Sequence, residues 1–209
     1  MQKGRVLSLR RFGIAEFLNK NMFLISILSF LVLGMVLGVF LFDNISTLNE
    51  YSAEYLAEYI AQRTNVAFLK MLLDSFIGAL AVLFIFFILG ASLFGVITVP
   101  LAITLKGFLQ GGVTAYIYSN YGLKGIAFNA VIFIPSSIIF LIVLLLASRE
   151  SIKFSIKITS LTLPKTMPLN LTFDFKNYST RYLLYVFLSF LSAFIDSVLS
   201  VGLMKYFSL

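Results

Sequence analysis

Two charged residues, Lys106 and Asp196, lie inside stretches of the chain that are long and apolar enough to cross a membrane. A lysine at that depth costs about 3 kcal/mol on insertion scales unless it faces protein or water. Because the two side chains carry opposite charges and belong to different apolar segments, the sequence predicts a buried ion pair between them. Separate roles for the two residues, or a proton or ion pathway, are the alternatives, and a single acid–base pair with no further relay gives the pathway little support.

The composition excludes most other chemistry. Of the 209 residues 60% are hydrophobic and 12% are charged, which is more apolar surface than a soluble domain of this size can bury. The chain has no His and no Cys, so the commonest general base and the thiolate nucleophile are missing. An intramembrane aspartyl protease needs a second aspartate at membrane depth, a rhomboid-type serine site needs a histidine, and no zinc, P-loop or dinucleotide motif occurs. We therefore expect no enzymatic activity, no metal and no cofactor.

The apolar runs predict an all-α membrane protein with a single transmembrane domain of five transmembrane helices. The runs are continuous, whereas a transmembrane barrel would show alternating polarity. The charge-free stretch from Ser75 to Leu105 is longer than one crossing of a hydrocarbon layer about 30 Å thick, so we divide it between Gly95 and Pro100. The predicted spans are residues 22–42, 75–94, 98–118, 126–147 and 182–204.

The charged residues between these spans predict their orientation. The segment before span one is basic, and the 148–182 loop has six basic residues against two acidic ones. The positive-inside rule places both in the cytoplasm. Four spans, with residues 75–105 as one helix, would put them on opposite sides of the membrane, whereas five spans put them on the same side. The 43–74 loop, with five acidic residues against two basic ones, and the C-terminus then lie outside. The net charge of +7 is thus a topology signal and gives no reason to expect nucleic-acid binding.

Two stripes with a spacing of four residues predict a short amphipathic helix in the extracytoplasmic acidic loop. One stripe is acidic and the other is formed by tyrosines: the residues are Glu50, Glu54 and Glu58, and Tyr51, Tyr55 and Tyr59. Tyrosine favours the headgroup level, so we expect this helix to lie on the outer membrane surface. Its charged face is either solvated without a partner or, with the tyrosines, a docking surface for an extracytoplasmic protein.

Small residues in spans one and three predict close helix packing. Each span has a G-x-x-x-G pattern, which lets a second helix approach closely or supports a homo-oligomer. The glycines are Gly34, Gly38, Gly107, Gly111 and Gly112. Those that follow Lys106 are also compatible with local unwinding, as in transporter binding sites. In span four, Pro135 removes a backbone donor and predicts a kink.

Short motifs in the middle of the chain resemble the stage II sporulation protein M family. Phe94-Gly95-Val96, Leu105-Lys106-Gly107-Phe108 and Gly111 resemble its F-G-x-x … K-G-F-x-x-G block. The family's G-x-K-G turn, the proline of its fourth span and its x-F-S segment have counterparts in Tyr121–Gly125, Ile134-Pro135 and Ser148–Ser155. Where relatives often carry Pro-Gln-Asn or Pro-His-Gly, this chain has Pro135-Ser136-Ser137. The resemblance covers most of the chain and is most specific over residues 90–156.

The resemblance implies a non-enzymatic scaffold in the bacterial cytoplasmic membrane. In endospore formers a family member anchors the peptidoglycan-degrading stage II proteins D and P during engulfment of the forespore, so cell-wall hydrolases are the expected partners. The wider family includes proteins encoded beside ABC transporter components. The alternative is therefore the membrane subunit of an ABC-type exporter, whose 148–182 loop would meet a cytoplasmic ATPase.

Two further function classes stay open for the sequence. A small-molecule or lipid carrier would use Lys106 and the adjacent glycines as its site, and a homo-oligomeric scaffold would use the G-x-x-x-G faces. A water-filled cavity around Lys106 would favour the carrier. A dry contact between Lys106 and Asp196 would favour a scaffold.

Overall fold

The protein is built from helices throughout the part of the chain that the structure, a computed structural model, describes: residues 14–64, 66–161 and 171–204. The helices are α1 (Ile14–Phe40), α2 (Ser46–Ala61), α3 (Phe68–Gly90), α4 (Gly95–Phe128), α5 (Ile134–Leu161) and α6 (Leu171–Leu203). A 3₁₀ turn (Phe42–Asn44) precedes α2, and a π-helical turn (Asn129–Phe133) joins α4 to α5. Four stretches of these helices are long and apolar enough to cross a membrane: Asn21–Phe40, Phe68–Gly90, Gly95–Ser160 and Thr172–Leu203.

The longest of these stretches has 66 residues and folds back on itself. Gly122 has φ +53° and ψ −130°, a backbone conformation that glycine adopts without steric penalty. Beyond it the chain reverses direction, as two side-chain hydrogen bonds across the reversal show. The side-chain amide of Asn129 donates to the hydroxyl of Tyr118 at 2.9 Å, and that of Gln110 donates to the hydroxyl of Ser137 at 3.3 Å. The two arms correspond to the third and fourth predicted spans, and the count of five membrane crossings stays a prediction.

Helices α1 and α4 make the most extensive contact in the fold, through glycines on both sides. The two G-x-x-x-G patterns face each other, so that each glycine lies against a backbone carbonyl of the opposite helix. The pairs are Gly34 with Thr104, Gly38 with Phe108, Gly107 with Leu31 and Gly111 with Met35. A methyl group at any of these positions would overlap with the facing oxygen. Because both patterns are occupied within one chain, neither is left as an interface for a second copy.

The irregular region in the fourth predicted span lies just before Pro135. The π-helical turn ends at Phe133, and α5 begins with Ile134 and Pro135. Proline has no N–H to donate to the carbonyl four residues back, and π turns are a common way for a helix to absorb such a missing bond. A hydroxyl from α6 adds a link here, since Ser192 donates to the carbonyl of Ser136 at 3.0 Å.

The predicted cytoplasmic loop 148–182 is mostly helical, which corrects the sequence-based boundaries. Helix α5 continues to Leu161 and α6 already begins at Leu171, while Lys165 of the predicted loop lies outside the described residues. The extensions pack on each other through a stack of Phe154 on Tyr178, with ring centroids 4.4 Å apart. Two ion pairs also join them, Lys157 with Asp174 and Arg181 with Glu150.

The first extension also packs on α3 and on the connection that follows it. Ser151 donates to the carbonyl of Phe86 at 2.9 Å, and Ser155 donates to that of Ser92 at 2.8 Å. Both serines are fully buried. The mixture of lysines and apolar residues in this segment thus reflects a helix with one face in the bundle and one face in solvent.

We expect Gly34→Ala to destabilise the protein and Gly78→Ala to leave it as stable or more stable. A Cβ at Gly34 meets the Thr104 carbonyl, and such overpacking costs roughly 1–3 kcal/mol. Gly78, in the middle of α3, has open space around the added methyl and gains helix propensity of up to about 1 kcal/mol. Unfolding in mixed micelles, followed by helical circular dichroism, measures both, and equal stabilities of the two variants would contradict the close α1–α4 contact.

Candidate functional site

The carboxylate of Asp196 lies in the interior of the bundle and has three hydrogen-bond donors. The side chain belongs to α6, and the residue is 6% exposed. Tyr59 donates to Oδ1 at 2.8 Å, Ser75 donates to Oδ2 at 2.8 Å, and Arg63 forms an ion pair with the same Oδ2. Its partners therefore come from the end of α2, the following turn and the beginning of α3.

The predicted ion pair between Lys106 and Asp196 is wrong, because Arg63 occupies that role. Arg63 belongs to the polar segment that sequence reasoning placed outside the membrane. The packing of α2 onto the bundle carries it inward, to a position where it is 7% exposed. Its presence there has a sequence signal, since Arg63 continues the four-residue spacing of the tyrosine stripe.

Arg63 is held by several groups at once. Its guanidinium carbon lies 3.4 Å from the centroid of the Tyr59 ring, and its two terminal nitrogens donate to the Tyr59 carbonyl at 3.2 Å and to the Ser75 hydroxyl at 2.8 Å. A planar guanidinium can stack and donate in several directions together, which a lysine cannot do. Such multiple bonding is what a buried charge needs to offset its loss of hydration.

At Tyr55 and Tyr59 the tyrosine stripe of α2 faces the bundle, so these two residues do not form part of the predicted partner surface. Tyr59 is 8% exposed and meets the ring of Phe133 edge-on at 5.5 Å, while Tyr55 stacks on Tyr59 at 6.5 Å. Only Tyr51, at 40% exposure, reaches the surface. Burial raises the pKa of Tyr55 to about 12, so its hydroxyl stays protonated at neutral pH. The stripe is thus a packing surface that attaches α2 to α4 and to the π-helical turn.

The acidic stripe lies about 100° round α2 from the tyrosine stripe and is exposed. Glu50, Glu54 and Glu58 are all exposed, and Glu58 accepts a hydrogen bond from Gln62 at 2.9 Å. None of the three forms an ion pair with a residue that the structure describes. We call these three residues the acidic face. The three carboxylates are therefore exposed and have no ion-pair partner among the described residues. They lie on a helix whose tyrosine side is fixed to the bundle.

Lys106 lines an open cavity of about 420 Å³ between α2, α3, α4, α5 and α6. Cavities of this size are in the range that holds small molecules in proteins. The ammonium group has neither an ion pair nor a hydrogen bond to any side chain or carbonyl in the described ranges. The neighbouring Gly107 packs on α1, so Lys106, about 100° further round the helix, faces the cavity. A cavity around Lys106, without a dry contact to Asp196, is the arrangement expected of a site for a small molecule or lipid, as in the carrier alternative.

Polar groups that the sequence did not single out complete the cavity wall. Gln110 lies one turn from Lys106 on α4 and donates to Ser137 of α5. Asp74, near the start of α3, also lines the cavity, and the apolar part of the wall includes Phe140 and Leu141. A glutamine and a serine in apolar spans have no distinctive spacing, so only the folded chain reveals that they share one cavity.

A comparison with known families decides which family the chain belongs to. The model of the family described as stage II sporulation protein M matches residues 26–201. The chain belongs to the stage II sporulation protein M family. No curated protein and no solved structure matches it.

The matched region extends well beyond residues 90–156, where the resemblance was most specific. It runs from α1 to nearly the end of α6. It therefore includes the acidic face, the cavity and the Arg63–Asp196 pair. The protein is thus a multi-pass membrane member of the stage II sporulation protein M family, and all of its candidate site lies inside the part that the family model matches.

For this family member we expect Arg63 and Asp196 to be energetically coupled and Lys106 and Asp196 to be independent. Arg63→Met or Asp196→Leu alone should cost about 3–5 kcal/mol, because each leaves a buried charge unpaired. The double variant should cost clearly less than the sum of the two. Unfolding in mixed micelles of the four proteins of each cycle measures the coupling. An additive Arg63–Asp196 cycle beside a non-additive Lys106–Asp196 cycle would restore the pair that the sequence predicted.

Proposed function

We propose that the protein is a non-enzymatic scaffold in the bacterial cytoplasmic membrane that recruits peptidoglycan-remodelling proteins to its outer side. In a spore-forming host, these partners would be the hydrolases that act during engulfment of the forespore. Membership of the stage II sporulation protein M family supports this role. The observation that carries it is the acidic face, an exposed set of carboxylates on a helix that is fixed to the membrane bundle.

The orientation that this function needs follows from the distribution of charge. The acidic face lies at the end of the bundle where α1 leads into α2, and exposed cations such as Lys157 and Arg181 lie on the α5 and α6 extensions at the other end. The positive-inside rule places the basic end in the cytoplasm. With five crossings, the N-terminus is inside, and α2 and the C-terminus are outside.

The attachment of α2 makes the acidic face suitable for docking. Leu48 and Leu56 are 3% and 1% exposed, and the Asp196 cluster anchors the far end of the helix. The three carboxylates are therefore held about 6 Å apart along a rigid element, and little conformational entropy is lost when a partner binds. Carboxylates with this spacing repel one another by a few tenths of a kcal/mol per pair, and a basic partner surface would relieve that repulsion.

The exporter alternative has less support. An ATPase would need a free cytoplasmic surface on the 148–182 segment. In its described parts, the end of α5 and the start of α6 pack on each other, and the end of α5 also contacts α3. Its two carboxylates, Glu150 and Asp174, are already paired with basic side chains of the same segment. The acidic face has no such internal partner among the described residues.

The acidic face is tested by purifying the tagged protein from its native host in mild detergent and quantifying co-purifying proteins by mass spectrometry. We expect extracytoplasmic wall hydrolases with the native chain and at least tenfold less of them when all three glutamates are replaced by glutamine. Single variants give a matched comparison: Glu54→Gln should weaken recovery, and Asp43→Asn should not. Both remove one exposed carboxylate from the same side of the bundle, but Asp43 lies outside α2.

Two outcomes would contradict the proposal. Undiminished recovery of hydrolases by the triple variant would show that the acidic face is not their docking surface. Recovery of a cytoplasmic ATPase that is lost in Lys157→Gln or Lys176→Gln, with no wall protein present, would instead support the exporter role.

A further inference from the structure

Two charges of opposite sign line the same cavity without pairing. Lys106 lies on α4 and Asp74 on α3, and neither forms an ion pair or a hydrogen bond within the described part of the chain. The two buried charges of the cavity wall, Arg63 and Asp196, neutralise each other. The unpaired charges that line the cavity are therefore one cation, Lys106, and two carboxylates, Asp74 and Glu58.

The two charges stand at different heights along the bundle. Helices α3 and α4 are joined by the short connection between Gly90 and Gly95. Counted from there at 1.5 Å per residue, Lys106 is about 17 Å along α4 and Asp74 about 24 Å along α3. The Cα atom of Asp74 is therefore about 7 Å closer to the α2 end of the cavity than that of Lys106. A ligand that touches both must carry its positive group towards α2 and its negative group deeper.

The groups around each charge match such a ligand. Near Lys106, the amide of Gln110 and the hydroxyl of Ser137 supply further donors for an anion. At the α2 end, Glu58 adds a second carboxylate beside the cavity, so this end has acceptors for a cation with N–H groups. Free anions would be repelled by the two carboxylates at the α2 end, and free cations by Lys106.

We propose that this cavity binds a zwitterion in which a primary ammonium contacts Asp74 and a phosphate contacts Lys106 and Gln110, and that the ligand is the headgroup of an ethanolamine phospholipid. In that headgroup two carbons separate the phosphate from the ammonium. The ammonium is the outermost group, the phosphate lies beneath it and the acyl chains follow. Val82, Phe140 and Leu141 provide apolar wall for the first part of the chains.

The test uses the purified full-length protein in a neutral detergent, titrated with short-chain phosphatidylethanolamine, with bound lipid counted by native mass spectrometry. We expect saturable binding of one lipid and at least tenfold weaker binding by Lys106→Met and by Asp74→Asn. Lys70→Met and Asp43→Asn are the matched controls, since they make the same charge changes at exposed positions outside the cavity lining. Lys106→Arg should retain binding, because it keeps the cation.

The choice of lipids distinguishes recognition of the zwitterion from recognition of the phosphate alone. Phosphatidylcholine should bind at least tenfold more weakly because its quaternary ammonium has no N–H, and phosphatidylglycerol because it has no cation at all. Equal binding of phosphatidylglycerol would show that the cavity recognises only the anionic phosphate, and it would overturn the proposal. Equal affinities of the cavity variants and their matched controls would overturn it too. If free phosphoethanolamine bound as tightly as the lipid, the lipid as the source of the zwitterion would be overturned.

Discussion

The buried carboxylate of Asp196 determines how the polar part of this protein is arranged. It accepts bonds from Tyr59, Arg63 and Ser75, and these residues belong to α2, the turn after it and α3. A carboxylate at this depth needs such partners, because the loss of its hydration would otherwise be uncompensated. Once α2 is held by this cluster, Tyr55 and Tyr59 face the bundle, and Glu50 and Glu54 face away from it. The same cluster forms part of the cavity wall, so the outer surface and the inner cavity depend on one interaction.

A second constraint sets the position of Lys106. The glycines of α1 and α4 bring the two backbones into direct contact, which fixes the rotation of α4 about its own axis. With Gly107 against α1, the preceding lysine has to face the interior of the bundle. The reversal at Gly122 then brings Ser137 of α5 opposite Gln110, and this contact adds the polar groups beside the ammonium. Close packing on one side of a helix thus creates a polar wall on the other.

The scaffold role and the lipid site use the same helix in different ways. Glu54 and Glu50 face only outward, whereas Glu58 is exposed and also lines the cavity. A basic partner seated on the acidic face would therefore lie beside the mouth of the cavity. A headgroup held at Asp74 would in turn occupy the space under α2. Both proposals depend on a rigid α2, and neither needs a catalytic group, which agrees with a chain that has no His and no Cys.

The sequence by itself determined the membrane class, the family and the segments available for crossing, because apolar runs, charge asymmetry and short glycine motifs are local properties. It also singled out Lys106, Asp196 and the two stripes of α2 as unusual. Only the tertiary structure decided that Asp196 pairs with Arg63, that the tyrosines face inward and that the 148–182 segment is mostly packed helix. These outcomes depend on which side chains meet across helices far apart in the chain. A buried charge pairs with whichever opposite charge the fold brings within reach, and local hydropathy carries no information about that partner.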